Sequence, residues 1–122
     1  MGDLCTDEFS AWFDALDKVE QSAIEKRVDL LADQGPALQR PVVGEITTSK
    51  YPNMKELRAS AGPARLRVLF LFDPRGEAIL LLGADKSEDS QFNCWHTTAI
   101  PAAETLYENF LKASGQTDER TR

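Results

Sequence analysis

Apolar residues recur at helical spacing near the start of the chain. Phe9, Trp12, Phe13 and Leu16 stand at positions i, i+3, i+4 and i+7, which is the pattern of a helix that buries one face. Thr6 precedes this stripe and can cap the helix, because a threonine hydroxyl accepts a hydrogen bond from a free N–H of the first turn.

A second helical stripe follows closely. Ile24, Val28 and Leu31 predict a helix over about residues 20–34. Gly35-Pro36 should end it, since glycine can take the left-handed conformation after a helix and proline cannot continue one. Two helices with so short a connection predict an antiparallel helical hairpin.

Three apolar runs predict β-strands over residues 54–60, 65–73 and 78–84. Turn residues separate the runs, so a meander of adjacent antiparallel strands is the simplest arrangement. The second and third runs are almost continuously apolar, which is typical of strands that are buried on both faces.

The remaining segments complete the predicted architecture. Residues 36–54 contain three prolines and few apolar residues, which indicates a long loop. A last helix should begin near Thr98, with Pro101 in its first turn. We therefore predict an α+β fold, in which an N-terminal helical hairpin packs on a small antiparallel sheet with a C-terminal helix. Residues 1–113 would form one domain and residues 114–122 a flexible polar tail.

Composition agrees with one folded domain. The chain has 122 residues, of which 42% are apolar and 28% charged, enough for a core and too apolar for a disordered chain. No run approaches the roughly 20 apolar residues of a membrane span. The N-terminus is acidic and lacks the apolar region of a signal peptide. These features predict a cytoplasmic protein that does not associate with membranes.

Cysteine and histidine are scarce. Cys5 and Cys94 are far apart in sequence and His96 is the single histidine. A disulfide is possible on count alone, but a cytoplasmic location favours two free thiols. Without a CxxC motif or a second histidine, we expect neither a metal site nor a cofactor.

Charge is distributed unevenly. The formal net charge is −6, which argues against nucleic acid as a partner. Residues 40–75, however, contain seven basic and only three acidic residues, whereas residues 1–39 contain nine acidic and three basic ones. A local positive field can attract phosphate although the whole chain is acidic.

Two arginines of this basic segment should meet in the sheet. Alternation places Arg58 on the same face as Glu56, and pairing around the turn at 61–63 brings Arg58 near Arg67. Like charges side by side destabilise a sheet slightly, so one interpretation is an anion that sits between them. The alternative is that Glu56, Asp73 or other acids neutralise each arginine.

Four further residues are candidates for chemistry or stacking. Lys86 follows the third strand and can reach over the sheet as a mobile charge, or it can pair with a neighbouring acid. His96 is a candidate for proton transfer, because an unperturbed imidazole changes charge near physiological pH, or it caps the next helix. Trp95 can stack on a base or pack in the core. Tyr51, in the irregular loop, is the better-exposed stacking candidate.

Taken together, these residues resemble those of a known family. The chain is similar to the RelE/ParE superfamily, and in particular to its HigB-like, phage-derived Gp49-like branch, over nearly the whole length. The residues that carry the resemblance are Phe9-x-x-Trp12-Phe13-x-x-Leu16, Gly35-Pro36-x-Leu38-x-Arg40-Pro41, Met54-Lys55-Glu56-Leu57-Arg58, Arg67-Val68-Leu69-Phe70-x-Phe72-Asp73, Ile79-Leu80-Leu81-Leu82-Gly83-x-Asp85-Lys86 and Trp95-x-x-x-x-Ile100-Pro101-x-Ala103-x-x-Leu106-Tyr107.

The resemblance implies a microbial-RNase-like fold and the role of toxin in a type II toxin–antitoxin system. Such toxins cut mRNA on the ribosome without a metal. An antitoxin, often a helix-turn-helix protein, neutralises them, so that contact with DNA is indirect. The resemblance implies that the core basic positions of the catalytic site are Arg67, Arg58, Lys55 and Lys86, and we expect His96 to complete the catalytic set as the group that transfers a proton. Further RNA contacts are expected from the remaining basic and aromatic candidates, Arg65, Arg40, Lys50, Tyr51 and Trp95.

Two departures from the family leave other functions open. Only about five residues precede the first helix, so the outer strand of relatives should be short or missing. Relatives often carry tyrosine after the tryptophan of the last loop, where this chain has His96. The chain could therefore be a non-catalytic binding module that inhibits a protein such as gyrase or only binds its antitoxin. A third alternative is that its acidic helices bind a basic partner.

Overall fold

A five-stranded sheet separates two hydrophobic cores. The computed structural model describes residues 4–86 and 95–113, and the side chains of the second segment from Thr97 onward. Two helices cover one face of the sheet and the C-terminal helix covers the other, which confirms the predicted α+β fold. In chain order the elements are β1 (Leu4–Cys5), α1 (Asp7–Asp14), α2 (Lys18–Gln34), a 3₁₀ turn (Gly35–Ala37), β2 (Val43–Glu45), β3 (Lys55–Ala61), β4 (Ala64–Phe72), β5 (Ala78–Asp85), a π-helical turn (Trp95–Ala99) and α3 (Ile100–Ala113).

The sheet has the order β1-β5-β4-β3-β2. Strands β3, β4 and β5 form the predicted antiparallel meander. Strand β2 corrects the prediction, because it lies within the segment that we expected to be a loop. Strand β1, with two residues, is the outer strand that we expected to be short or missing; it pairs in parallel with β5, so the sheet is mixed and not purely antiparallel as predicted. With three and two residues, these strands are too short to show a period-two pattern, and their pairing across the fold positions them.

The N-terminal helices form the first core. Phe9 of α1 and Ile24 and Val28 of α2 pack against one face of the sheet. The Thr6 hydroxyl accepts a hydrogen bond from Phe9 N at 3.0 Å, which confirms the predicted cap, and it donates to the Leu81 carbonyl at 2.7 Å. Helix α2 begins two residues earlier than expected, because Asp17 and Glu20 form a reciprocal capping box.

The C-terminal helix forms the second core. The buried residues of α3, among them Ala103 and Tyr107, pack against Leu69, Leu71 and Ile79 on the opposite face of the sheet. Strand β4 is buried on both faces from Val68 to Phe72, which confirms the interpretation of its continuous apolar run. Among the helices within residues 4–86 and 95–113, none has the length and apolarity that a membrane crossing requires.

Some predictions fall outside the described segments. Cys94 lies there, so the prediction of two free thiols stays open; the Cys5 sulfur lies 3.3 Å from the Ser10 hydroxyl oxygen and takes part in a hydrogen bond with it. Residues 114–122, the predicted flexible tail, also lie outside the described part of the chain.

Candidate functional site

One buried carboxylate collects three cations on the sheet face that carries α3. Glu56, in β3, is only 4% exposed. Its carboxylate oxygens lie 3.0 Å from Arg58 Nε, 3.6 Å from Lys86 Nζ and 3.8 Å from Arg67 Nε. We call these four residues the Glu56 cluster.

The register of the meander assembles the cluster. Arg58 pairs directly with Arg67 across β3 and β4, which confirms that these two arginines approach one another. Glu56 lies two positions before Arg58 and therefore on the same face of β3. Lys86 directly follows β5, and its backbone N–H donates to the Arg65 carbonyl at 2.8 Å, which holds it beside β4.

The cluster carries more positive than negative charge. Its three cations and one carboxylate leave a formal surplus of two positive charges. The neighbouring Arg65 and Asp85 add one positive and one negative charge, so the formal surplus stays at two; the Asp85 carboxylate accepts a hydrogen bond from the backbone N–H of Arg65 at 3.0 Å. The interpretation that acids neutralise each arginine therefore holds only in part, because one carboxylate is shared among three cations. Asp73, the other acid considered, pairs with Arg75 instead, at 3.6 Å.

Exposure within the cluster is graded. The side chain of Arg58 is 37% exposed and that of Arg67 18%, whereas that of Glu56 is 6% exposed. Burial lowers the pKa of the Arg67 guanidinium, and the nearby Glu56 carboxylate acts in the opposite direction. Guanidinium remains charged in proteins. A solvent-borne anion can therefore reach two cations whose charge is less screened than at an open surface.

Gly44 gives Arg58 its room. Gly44 pairs with Glu56 across β2 and β3, and a Cβ atom on Gly44 would lie 2.8 Å from the Arg58 Cζ atom. Any other residue at position 44 would push the guanidinium away. The role of Gly44 was not predicted from the sequence, whereas Glu56 was expected as one of several acids that could neutralise the arginines. The available signal was the spacing of Glu56 and Arg58, which puts opposite charges on one strand face.

Lys55 is not brought into the cluster. It precedes Glu56 in β3, so its side chain starts on the opposite face. It lines a groove of about 350 Å³ at the end of the sheet, together with the exposed Arg40 and Glu45. The structure therefore unites Arg58, Arg67 and Lys86 and leaves Lys55 and Arg40 at a second location.

Tyr51 is buried, and its prediction as an exposed stacking residue is wrong. It is 4% exposed and packs edge-on against Tyr107 of α3, with ring centres 5.1 Å apart. Its hydroxyl donates to Glu108 Oε2 at 2.5 Å. The aromatic ring completes the second core. The polar residues around Tyr51 in the sequence gave no indication of this burial.

Lys50 belongs to the same contact. Its ammonium lies 2.8 Å from Glu108 Oε2, and its backbone N–H donates to Glu104 Oε2 at 2.8 Å. The hydrogen bonds from Lys50 and Tyr51 lower the pKa of Glu108. We call Lys50, Tyr51, Glu104 and Glu108 the loop–α3 contact; the Ser49 hydroxyl also donates to Glu104, at 2.7 Å.

Trp95 and His96 begin the π-helical turn before α3. Their side chains lie outside the described part of the structure, so stacking by Trp95 and proton transfer by His96 stay predictions. Within the described residues, histidine, cysteine and carboxylate side chains do not come together in a group of three that could hold a metal ion.

Fold and site define a small α+β protein with a cation-rich cluster on one sheet face. The chain belongs to the phage derived protein Gp49-like family, whose model matches residues 11–108. The resemblance to the HigB-like, Gp49-like branch is thereby confirmed.

Two relatives from Mycobacterium tuberculosis are similar to it. The protein named "Putative toxin HigB3" is 42% identical over 100 residues, which cover 82% of this chain and 84% of that protein. The protein named "Putative toxin HigB2" is 32% identical over 117 residues, which cover 95% of this chain and 57% of that longer protein. No solved structure is significantly similar to the chain.

Proposed function

We propose that this protein is the toxin of a type II toxin–antitoxin system and that it cleaves mRNA on the ribosome without a metal. The carrying observation is the Glu56 cluster, a surplus of two positive charges on one sheet face of a chain whose net charge is −6. Membership of the Gp49-like family and the similarity to two proteins named as toxins support the assignment.

The proposed chemistry is an attack of the RNA 2′-hydroxyl on the adjacent phosphate, which forms a 2′,3′-cyclic phosphate and breaks the bond from phosphorus to the 5′-oxygen of the next nucleotide. A base takes the proton of the 2′-hydroxyl, and an acid protonates the leaving 5′-oxygen. Arg58 and Arg67 would hold the phosphate and stabilise the charge that develops on its oxygens. Lys86, tied to Glu56, would add a third positive charge. His96 would transfer a proton, a role suited to the imidazole pKa. The ribosome would supply much of the in-line geometry, which is worth a large part of the barrier.

Other contacts would position the RNA strand. Arg65 borders the Glu56 cluster and is proposed as a phosphate contact, and Trp95 as a base-stacking residue. Lys55 and Arg40 share a groove at the end of the sheet, so they would bind RNA only beyond the cluster. Lys50 pairs with Glu108, so we no longer propose it as an RNA contact, and Tyr51 is withdrawn as well.

Primer extension on a translated reporter mRNA tests the proposal. After induction of the chain, discrete cuts should appear within the translated frame, and the same mRNA without a start codon should stay intact. Arg67→Ala should remove the cuts, while Lys112→Ala, an exposed change on α3, should keep them. Growth arrest with intact mRNA would contradict the proposal.

A non-catalytic binding module is the second candidate. The net charge of −6 and the occupation of three cations by Glu56 favour it. Inhibition of a protein target such as gyrase would produce DNA damage without mRNA cuts. The same induction experiment, with DNA breaks scored in parallel, separates the two functions.

An antitoxin is the expected partner in either case. We propose a helix-turn-helix protein, through which the complex would contact DNA. Co-purification with the product of the neighbouring reading frame tests this partner, and a stable complex that binds the promoter only with both chains present is the expected result.

A further inference from the structure

A groove of about 740 Å³ runs between α2 and the β3–β4 turn. Helix α2 contributes Lys18, Val19, Lys26, Arg27 and Leu30 to its walls, and the end of β3 contributes Ala61. We call it the α2 groove. It lies on the sheet face covered by α1 and α2 and therefore opposite to the Glu56 cluster.

The charge of the α2 groove is opposite to that of its surroundings. Residues 1–39 hold nine acidic and three basic residues. All three basic residues, Lys18, Lys26 and Arg27, line the groove, and none of the nine acids does. Within residues 4–86 and 95–113, none of these three cations forms an ion pair. Helix α2 thus gathers its cations along the groove walls, whereas the acids of α2 lie outside those walls.

The groove is also apolar. Val19 is 67% exposed, and among the residues that the structure describes it is the single large hydrophobic residue that is exposed. Leu30 and Ala23 are partly buried beside it and continue into the first core. An exposed aliphatic side chain between cations is a surface that complements an amphipathic segment with acidic flanks.

We propose that the α2 groove binds an acidic amphipathic segment of the antitoxin, an inference that rests on the proposed function. The apolar side of the segment would cover Val19 and Leu30, and its carboxylates would pair with Lys18, Lys26 and Arg27. RNA fits less well, because no aromatic side chain lines the groove to stack on bases.

The position of the groove has a functional consequence. A segment bound there leaves the Glu56 cluster uncovered, because the sheet lies between the two. Changes in the groove should therefore weaken antitoxin binding while mRNA cleavage by the free protein is retained. Changes at Arg67 should instead reduce mRNA cleavage and leave antitoxin binding intact.

Fluorescence anisotropy with purified, labelled antitoxin from the neighbouring reading frame tests the inference. Lys26→Glu should weaken binding by about tenfold or more, since it replaces an attraction by a repulsion. The matched control Lys112→Glu makes the same charge change on an exposed helix position outside the groove and should alter the affinity less than about twofold. Val19→Ser, which leaves the charge unchanged, should weaken binding about threefold or more.

The inference would be overturned if both Lys26→Glu and Val19→Ser bound the antitoxin with wild-type affinity. It would also be overturned if these variants lost affinity for a single-stranded RNA 20-mer and kept their affinity for the antitoxin. Circular dichroism melts exclude unfolding as a cause, and Lys18→Glu serves if Lys26→Glu does not fold. Primer extension reports separately on the proposed function. Intact mRNA together with a groove-dependent complex would reject the nuclease and leave the docking site standing.

Discussion

The Glu56 cluster and the loop–α3 contact use basic residues of the same segment in opposite ways. In the cluster, Arg58, Arg67 and Lys86 share one carboxylate. In the loop–α3 contact, Lys50 has Glu108 as its partner, and Glu104 lies close enough to accept from the same loop. The first region keeps a positive surplus, whereas the second has more acids than bases.

This difference shows which cations can serve an anionic ligand. A phosphate that enters the Glu56 cluster meets three cations and one carboxylate. A phosphate at Lys50 would have to displace Glu108 and would meet the repulsion of Glu104. The number of basic residues in 40–75 is therefore larger than the number that can bind RNA, because part of this segment holds a loop against α3.

The largest expected effect is that of Arg67→Ala on cleavage. Loss of a charge-stabilising donor costs about 100-fold or more in rate, so cuts in the reporter mRNA should fall by that factor in quantitative primer extension. The thermal midpoint should change by only a few degrees, since Arg67 lies at the rim of the core. Cleavage within about threefold of wild type would remove the cluster from the mechanism.

Glu56→Gln should affect stability most. It leaves three cations around a neutral amide, and removal of one partner from a buried ion pair costs about 3–5 kcal/mol. Because the cations are partly exposed, we expect about 1–3 kcal/mol, measured by urea unfolding. Glu25→Gln, an exposed change on α2, should stay within about 0.5 kcal/mol. Equal stability of both variants would mean that Glu56 does not hold the cluster together.

Tyr51→Phe sharpens the comparison from the other region. It removes the hydroxyl that donates to Glu108 and should cost about 1 kcal/mol of unfolding free energy. Cleavage should remain within about twofold of wild type, because the ring stays in the core. A strong loss of cleavage with a native melting curve would instead return Tyr51 to the RNA site.

The smallest effect concerns acid stability. The pKa of Glu108 in the folded protein lies below its ordinary value of 4.5, chiefly through the hydrogen bonds from Lys50 and Tyr51. Its contribution is therefore present above about pH 4.5 and is lost as the pH falls through the folded pKa. Glu108→Gln should reduce stability by less than about 1 kcal/mol near pH 6, and this difference should shrink as the pH falls below the ordinary glutamate pKa of 4.5. A difference that grows on acidification would contradict the assignment.

Much of the fold follows from local patterns. Helices α1 and α2 have a helical stripe and a cap, and the meander has apolar runs with turns between them. Strand β2 and the pairing of β1 could not be predicted from local patterns, because two or three residues carry no periodicity; only the resemblance indicated a short outer strand at the position of β1. Their place depends on pairing with β5 and β3, which are distant in sequence.

Only those site residues could be predicted whose positions follow from the alternation of side chains between the two faces of a strand. Arg58 and Arg67 meet because a short turn fixes their register. The burial of Tyr51 depends on Glu108 and Tyr107, which are more than 50 positions away in the sequence. The residues next to Tyr51 do not predict such a contact. Gly44 could not be assigned either, since its importance arises from a guanidinium on the neighbouring strand.

The most direct test of the central claim is the salt dependence of RNA binding. For a single strand, log affinity falls against log salt concentration with a slope of about −0.7 per phosphate contact. With a noncleavable RNA that carries a 2′-O-methyl group at the cut site, Arg67→Gln should make the slope shallower by about 0.7, and Lys50→Gln should leave it unchanged. A slope that changes with Lys50→Gln and not with Arg67→Gln would contradict the account.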